Sequence, residues 1–152
     1  MNSQLIIAAH ILAVLSHHKD EGVVTSEVLA KGFGTNPVVI RRVLAQLKKA
    51  GLVKSRPGVG GGSALAKGPK EITLRDAYTA VTADTDTMLA RHPGQCGEGV
   101  DIAPVIADYL NELFAEAERA LLENLGSVNV SDLTQEIGKR LGPDKSRRPS
   151  KN

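Results

Sequence analysis

Apolar residues recur along most of this chain at helical spacing, and only one short glycine-rich segment interrupts them. Over 4–18 the positions Leu5, Ile6, Ile7, Ala8, Ile11, Leu12, Val14 and Leu15 leave almost no polar side, which predicts a helix buried all round. It ends in His17-His18-Lys19, where positive charge suits a helix C-terminus. Gly22 closes the turn, and Thr25 or Ser26 caps a short helix over 27–31 whose Val28, Leu29 and Ala30 can dock on the first. Gly32-Phe33-Gly34 forms the break, with Phe33 as a plug between helices.

The next helix is announced by Thr35 or Asn36 as N-cap and by Pro37 at the first helical position, where a missing N–H costs nothing. It runs to Ala50 and stops at Gly51. Ile40, Val43, Leu44 and Leu47 share one stripe, whereas Val38, Arg41, Arg42, Ala45, Lys48 and Lys49 fall opposite, leaving a basic face free for a ligand. Segments 52–55 and 64–66 are short enough to be paired strands around Arg56-Pro57-Gly58-Val59-Gly60-Gly61-Gly62-Ser63, a small β-hairpin.

Thr73 with Asp76 opens a helix over 74–81. A polar stretch over 82–99 holds a short helix around Met88-Leu89 and then a loop with His92 and Cys96. From Asp101 the period is helical for about six turns, through Ile102, Val105, Ile106, Tyr109, Leu110, Leu113, Phe114 and on to Leu125. So long an apolar face exceeds what a small body can cover, and pairing with the same helix of a second subunit would bury the excess. A last helix capped by Ser131 covers 133–141, and the proline-broken basic tail beyond it is expected to be disordered.

The chain has 152 residues, 41% hydrophobic but only 3% aromatic and without Trp, so its core must come from Leu, Val, Ile and Ala on helices. The fold expected is mostly α with a small β-hairpin wing: a winged helix-turn-helix domain over 1–80, a connecting or sensor loop over 81–100, dimerisation helices over 101–141 and the tail over 142–152. Charge is polarised along it. Residues 1–70 carry ten Lys and Arg against three Asp and Glu, whereas 71–142 carry five against thirteen. A basic first half suits a polyanion and an acidic second half is repelled by one, so the two have different tasks. The single Cys96 excludes an internal disulfide and fits a reducing compartment. The apolar run near the start has no preceding Lys or Arg and falls short of the ~20 residues that span a bilayer. A cytoplasmic protein without membrane contact is expected.

Two helices joined by a tight glycine-containing turn, the second basic and followed by a hairpin, make a helix-turn-helix with a wing. The candidate DNA contacts follow from that placement. Ser26 and Thr35 stand at helix starts; Asn36, Val38, Val39, Arg41 and Arg42 lie in the first turns, where Arg can read guanine O6 and N7 and Val a thymine methyl. Lys48 and Lys49 lie further along and suit phosphate, Arg56 at the wing base suits a narrow minor groove or phosphate, and Gly60 and Gly61 let the backbone approach the duplex. Gly58, Gly60 and Gly61 lack the Gly-Lys-Ser/Thr of a phosphate loop, and the four histidines form no ligand set, so no enzyme activity and no cofactor are expected. A winged-helix module used only for protein contacts, its acidic half recruiting a partner, is the alternative.

Thr35-Asn36-Pro37-Val38-Val39-Ile40-Arg41-Arg42-Val43-Leu44, then Leu47-Lys48-Lys49-Ala50-Gly51-Leu52-Val53, Ser55-Arg56, Gly58-Val59-Gly60-Gly61-Gly62 and Glu71-Ile72-Thr73-Leu74-Arg75-Asp76-Ala77-Tyr78 closely resemble the Rrf-two (BadM-type) winged-helix transcription regulators of bacteria. The resemblance runs from Asn2 to about Leu133. It implies a homodimer joined by long C-terminal helices that binds near-palindromic double-stranded DNA and usually represses. It also implies an iron–sulfur cluster on three cysteines in several relatives; with Cys96 alone, this chain resembles a cluster-free branch. Ser63 stands where the family commonly has an aromatic residue. Cys96, close to the start of the long helix and to His92, is either an inert thiol or a redox sensor.

Overall fold

A computed structural model describes residues 3–84 and 102–142. Helix α1 (Ser3–His17) is apolar on all sides and forms the hub, with Ile11 and Leu12 fully buried. Against it pack α3 (Pro37–Lys49), α4 (Leu74–Thr82) and α6 (Val130–Leu141). The core between them is aliphatic: Leu15, Leu29, Ile40, Val43, Leu47, Ile72, Val81 and Val130 are all buried. Helix α2 (Ser26–Phe33) is longer than the expected 27–31, since Gly32 and Phe33 complete its last turn and Gly34 caps it. Phe33 is partly buried on the core and stacks on His10, ring centroids 4.8 Å apart.

Caps set the start of each reading element. Thr25 Oγ1 accepts the Val28 N–H at 3.3 Å, and Asn36 Oδ1 accepts the Val38 N–H at 2.8 Å. Of the two cap candidates at each helix, Thr25 and Asn36 take the role. Pro37 opens α3 as expected.

Strands β1 (Val53–Arg56) and β2 (Gly62–Leu65) pair antiparallel, with Val53 opposite Leu65 and Arg56 opposite Gly62. Both are displaced from the expected 52–55 and 64–66. Leu52 is spent closing α3, its N–H bonded to Leu47 O, while Gly62 and Ser63 become extended because a second segment holds them: Val24 and Ser63 exchange both main-chain bonds, at 2.8 and 2.9 Å. This bridge seats the hairpin on the turn before α2. It leaves no room at Gly62, where a Cβ would lie 2.7 Å from Val24 O. Ser63 is buried at the joint.

Thr73 and Asp76 form a reciprocal capping box on α4, as the sequence predicts. Helix α5 (Ala103–Gly126) then lies on α4. Tyr78 Oη donates to Glu118 Oε1 at 3.2 Å. The chain returns to the body through α6, whose N-cap is Asn129 and not Ser131: Asn129 and Asp132 make a second capping box, starting the helix at Val130. Main-chain bonds Leu74 N–H to Val128 O and Val130 N–H to Ile72 O fasten the two boxes side by side. Among the described residues no helix is long and apolar enough to cross a membrane.

Candidate nucleic-acid interface

A cleft of about 620 Å³ opens between the α2–α3 pair and the hairpin. Ser26, Arg41 and Lys48 line one wall, and Ser55, Pro57, Gly58 and Gly62 the other. Arg41 and Lys48 meet there because seven residues are nearly two helical turns, which returns the chain to one face. Arg42 and Val38 are exposed at the start of the same helix, with Asn36 and Val39 beside them. Thr35 sits in the connecting turn with its N–H bonded to Ala30 O.

Arg41 is not a free cation, contrary to the expectation of an unoccupied basic face. Its Nη2–H donates to Glu27 Oε1 at 2.6 Å and its Nε–H to Ser26 Oγ at 3.3 Å, while Ser26 Oγ donates to Glu27 Oε2 at 3.2 Å. The ring of three side chains closes across the two helices. The Glu27 carboxyl is held below its ordinary range by its own backbone N–H first, then by Arg41 and Ser26. Both side chains stay in water, 56% exposed for Arg41 and 64% for Glu27, so the ion pair itself contributes little to stability.

Lys49 leaves the group. One residue on from Lys48, it turns toward α4 and approaches Asp84 at 3.5 Å, lining a separate hollow with Gln46 and Lys67. In the hairpin Arg56 is exposed at the end of β1, and the tip carries Gly60 and Gly61. A Cβ at Gly61 would collide with the carbonyl oxygens of Arg56 and Gly58, so the turn depends on glycine there. Val59, fully exposed at the tip, and Glu27 were missed from sequence. The available signal for Glu27 was its rarity, one of three acids among the first seventy residues. Cys96 and His92 lie outside the described residues.

Residues 1–136 match the Rrf2 family, described as an iron-dependent transcriptional regulator. The chain is similar to YwnA of Bacillus subtilis, by name an HTH-type transcriptional regulator, with 36% identity over 137 residues covering 90% of this chain and 98% of YwnA. Among solved structures it resembles T. potens IscR with a TM-score of 0.72 at 19% identity, over 95% of this chain and 92% of that one. CymR, the global cysteine regulator of B. subtilis, aligns with a TM-score of 0.65 at 23% identity, over 90% and 96%. These two likenesses speak for the winged-helix fold alone.

The family description invokes iron, and the donor set here does not fit a cluster held by three thiolates of one chain, because the sequence contains one cysteine. Among the described residues no three His, Cys, Asp or Glu converge on a point. By its family match and its fold, the chain belongs to the Rrf2 family of DNA-binding winged-helix transcriptional regulators.

Proposed function

We propose that the protein is a sequence-specific repressor that works as a cytoplasmic homodimer on a near-palindromic operator. The observation that carries the reading is the cleft in which Ser26, Arg41 and Lys48 face the hairpin, placed so that the start of α3 enters a major groove while the wing follows the flanking backbone. On this reading Asn36, Val38, Val39, Arg41 and Arg42 meet base edges. Ser26, Thr35, Lys48, Arg56 and the main chain at Gly60 and Gly61 hold phosphate or minor groove, whereas Lys49, turned toward Asp84, stands outside the contact.

Support for the dimer comes from α5. Its described length has one buried residue, Ala107, whereas Val105 at 69% and Tyr109 at 64% stand exposed in a row with Ile102, Ile106, Leu110 and Leu113. So contiguous an apolar strip on a water-facing helix marks an interaction surface. A second α5 related by a twofold axis would cover it with like residues. The domain limits expected from sequence belong to the same proposal: a reading head over 1–80 and α5 as the joint.

For the signal, Cys96 is the one thiol, and its oxidation would act through the segment leading into α5. Oxidant should then release DNA from the wild-type protein and leave a Cys96→Ser variant bound; equal release from both would exclude a thiol switch. The test of the function itself is selection of bound fragments from the host genome at physiological salt, followed by binding to the recovered duplex. A protein-only module would recover no preferred fragment.

A further inference from the structure

Arg41 presents two different hydrogen-bonding edges, and the described residues occupy only one. A guanidinium is planar with five N–H groups: a side edge formed by Nε and one N–H of Nη2, and an end edge formed by the other Nη2 N–H and Nη1. Here the side edge is engaged throughout, Nε with Ser26 Oγ at 3.3 Å and Nη2 with Glu27 Oε1 at 2.6 Å. The end edge has the parallel pair of donors that matches guanine O6 and N7. Glu27 is itself held, its second oxygen by the Ser26 hydroxyl at 3.2 Å, so the ring fixes acceptor and donor together.

We propose that Glu27, with Ser26, is a positioning residue that sets DNA sequence specificity by holding the Arg41 guanidinium with its end edge outward for one guanine in each half-site. The inference deepens the reading of α3 as a DNA-facing helix and rests on it. A long arginine on an exposed helix face otherwise has many rotamers, and a phosphate oxygen is as good a partner as a base. A clamp on the side edge removes that freedom before DNA arrives. Its net worth in water is small, yet a severalfold preference for one rotamer already fixes the direction of the remaining donors in most molecules.

The clamp is made from an acid on a surface meant for a polyanion, which gives the proposal opposite signs on two kinds of DNA. Removing Glu27 deletes a repulsive charge and should tighten binding to random duplex severalfold. It should weaken binding to the operator, so the ratio of operator to random affinity should fall by at least about tenfold, the size of one bidentate base contact. Glu27→Gln keeps an oxygen acceptor for Nη2 without the charge, and should tighten random-duplex binding while retaining most of the ratio.

The experiment measures equilibrium binding of the full chain, as wild type, Glu27→Ala, Glu27→Gln, Arg41→Ala and the Glu27→Ala/Arg41→Ala double variant. The duplexes are the genome-selected operator, its single-base variants and a random sequence of equal length, at one salt concentration. Expected is loss of discrimination at the same guanine in Glu27→Ala and Arg41→Ala, with no further loss in the double variant and most of the discrimination kept in Glu27→Gln. Two results would overturn the proposal: Glu27→Ala tightening operator and random duplex by the same factor, which makes Glu27 a plain repulsive charge, or tightening the operator more, which makes it a brake on Arg41. If the wild type prefers no duplex at all, it is the DNA-reading function that fails, and the proposal goes with it.

Discussion

Arg75 reaches out from α4 and donates its Nε–H to the main-chain carbonyl of Leu122, 2.9 Å away near the C-terminal end of α5. Its guanidinium lies over Gly126, where an added Cβ would stand 3.2 Å from Arg75 Cζ. With the Tyr78 to Glu118 bond one turn away, this sets the angle between the winged body and the long helix. In a dimer joined through α5 that angle fixes the spacing of two reading heads, and half-sites must match it. Arg75→Ala should therefore lower stability by only about 1 kcal/mol, the usual worth of such a bond. Its larger effect should fall on duplexes with two half-sites, weakened severalfold, while a single half-site is bound as before. Titrating both duplexes checks this.

The apolar strip of α5 gives a sharper test of assembly. Val105→Glu places a charge within the exposed row and should leave the monomer fold intact, since Val105 makes no part of the core. Sedimentation should then report a single chain where the wild type reports two, and operator affinity should drop by more than about tenfold through loss of the second contact.

In the wing, Gly62→Ala forces a methyl to within 2.7 Å of Val24 O, against backbone that cannot yield without breaking the Val24–Ser63 bridge. A cost of about 1–3 kcal/mol is expected, read as a lowered denaturation midpoint. Gly60→Ala, with open space around its Cβ but a φ of +73°, should cost about 1 kcal/mol.

The lowered pKa of Glu27 fixes the sign of a pH effect. The folded state binds fewer protons there than the unfolded state, so the group's contribution to stability is present above the ordinary value of 4.5 and fades as pH falls through the depressed one. Between about pH 5.5 and 8 the Glu27–Arg41 ring stays charged on both sides. Operator discrimination at the Arg41 position should accordingly be flat over that window, measured as the ratio of operator to single-base-variant affinity.

Local signals in the sequence located what depends on neighbouring residues. Asn36-Pro37 starts α3, Thr73 with Asp76 starts α4, and the stripe of Ile40, Val43 and Leu47 is the buried one. The misplacements have nonlocal causes. Ser131 was a plausible cap taken alone, but Asn129 wins because its pairing with Asp132 is reciprocal and because Val130 must bond Ile72. The strands were displaced because Gly62 has no side chain to show alternation and gains its extended form from Val24, far back in the chain. Arg41 appeared free because its partner sits 14 residues earlier on another helix, and only the crossing of α2 and α3 brings the two together.

On the proposed reading α3 and the hairpin grip duplex DNA, twice per dimer. Titrating a genome-selected duplex across a series of salt concentrations, while counting chains bound, measures that grip. Two chains per duplex are expected, with an affinity that falls linearly on logarithmic axes at a slope near −0.9 for each phosphate neutralised. Binding by one chain, or an affinity indifferent to salt and to duplex sequence, would contradict it.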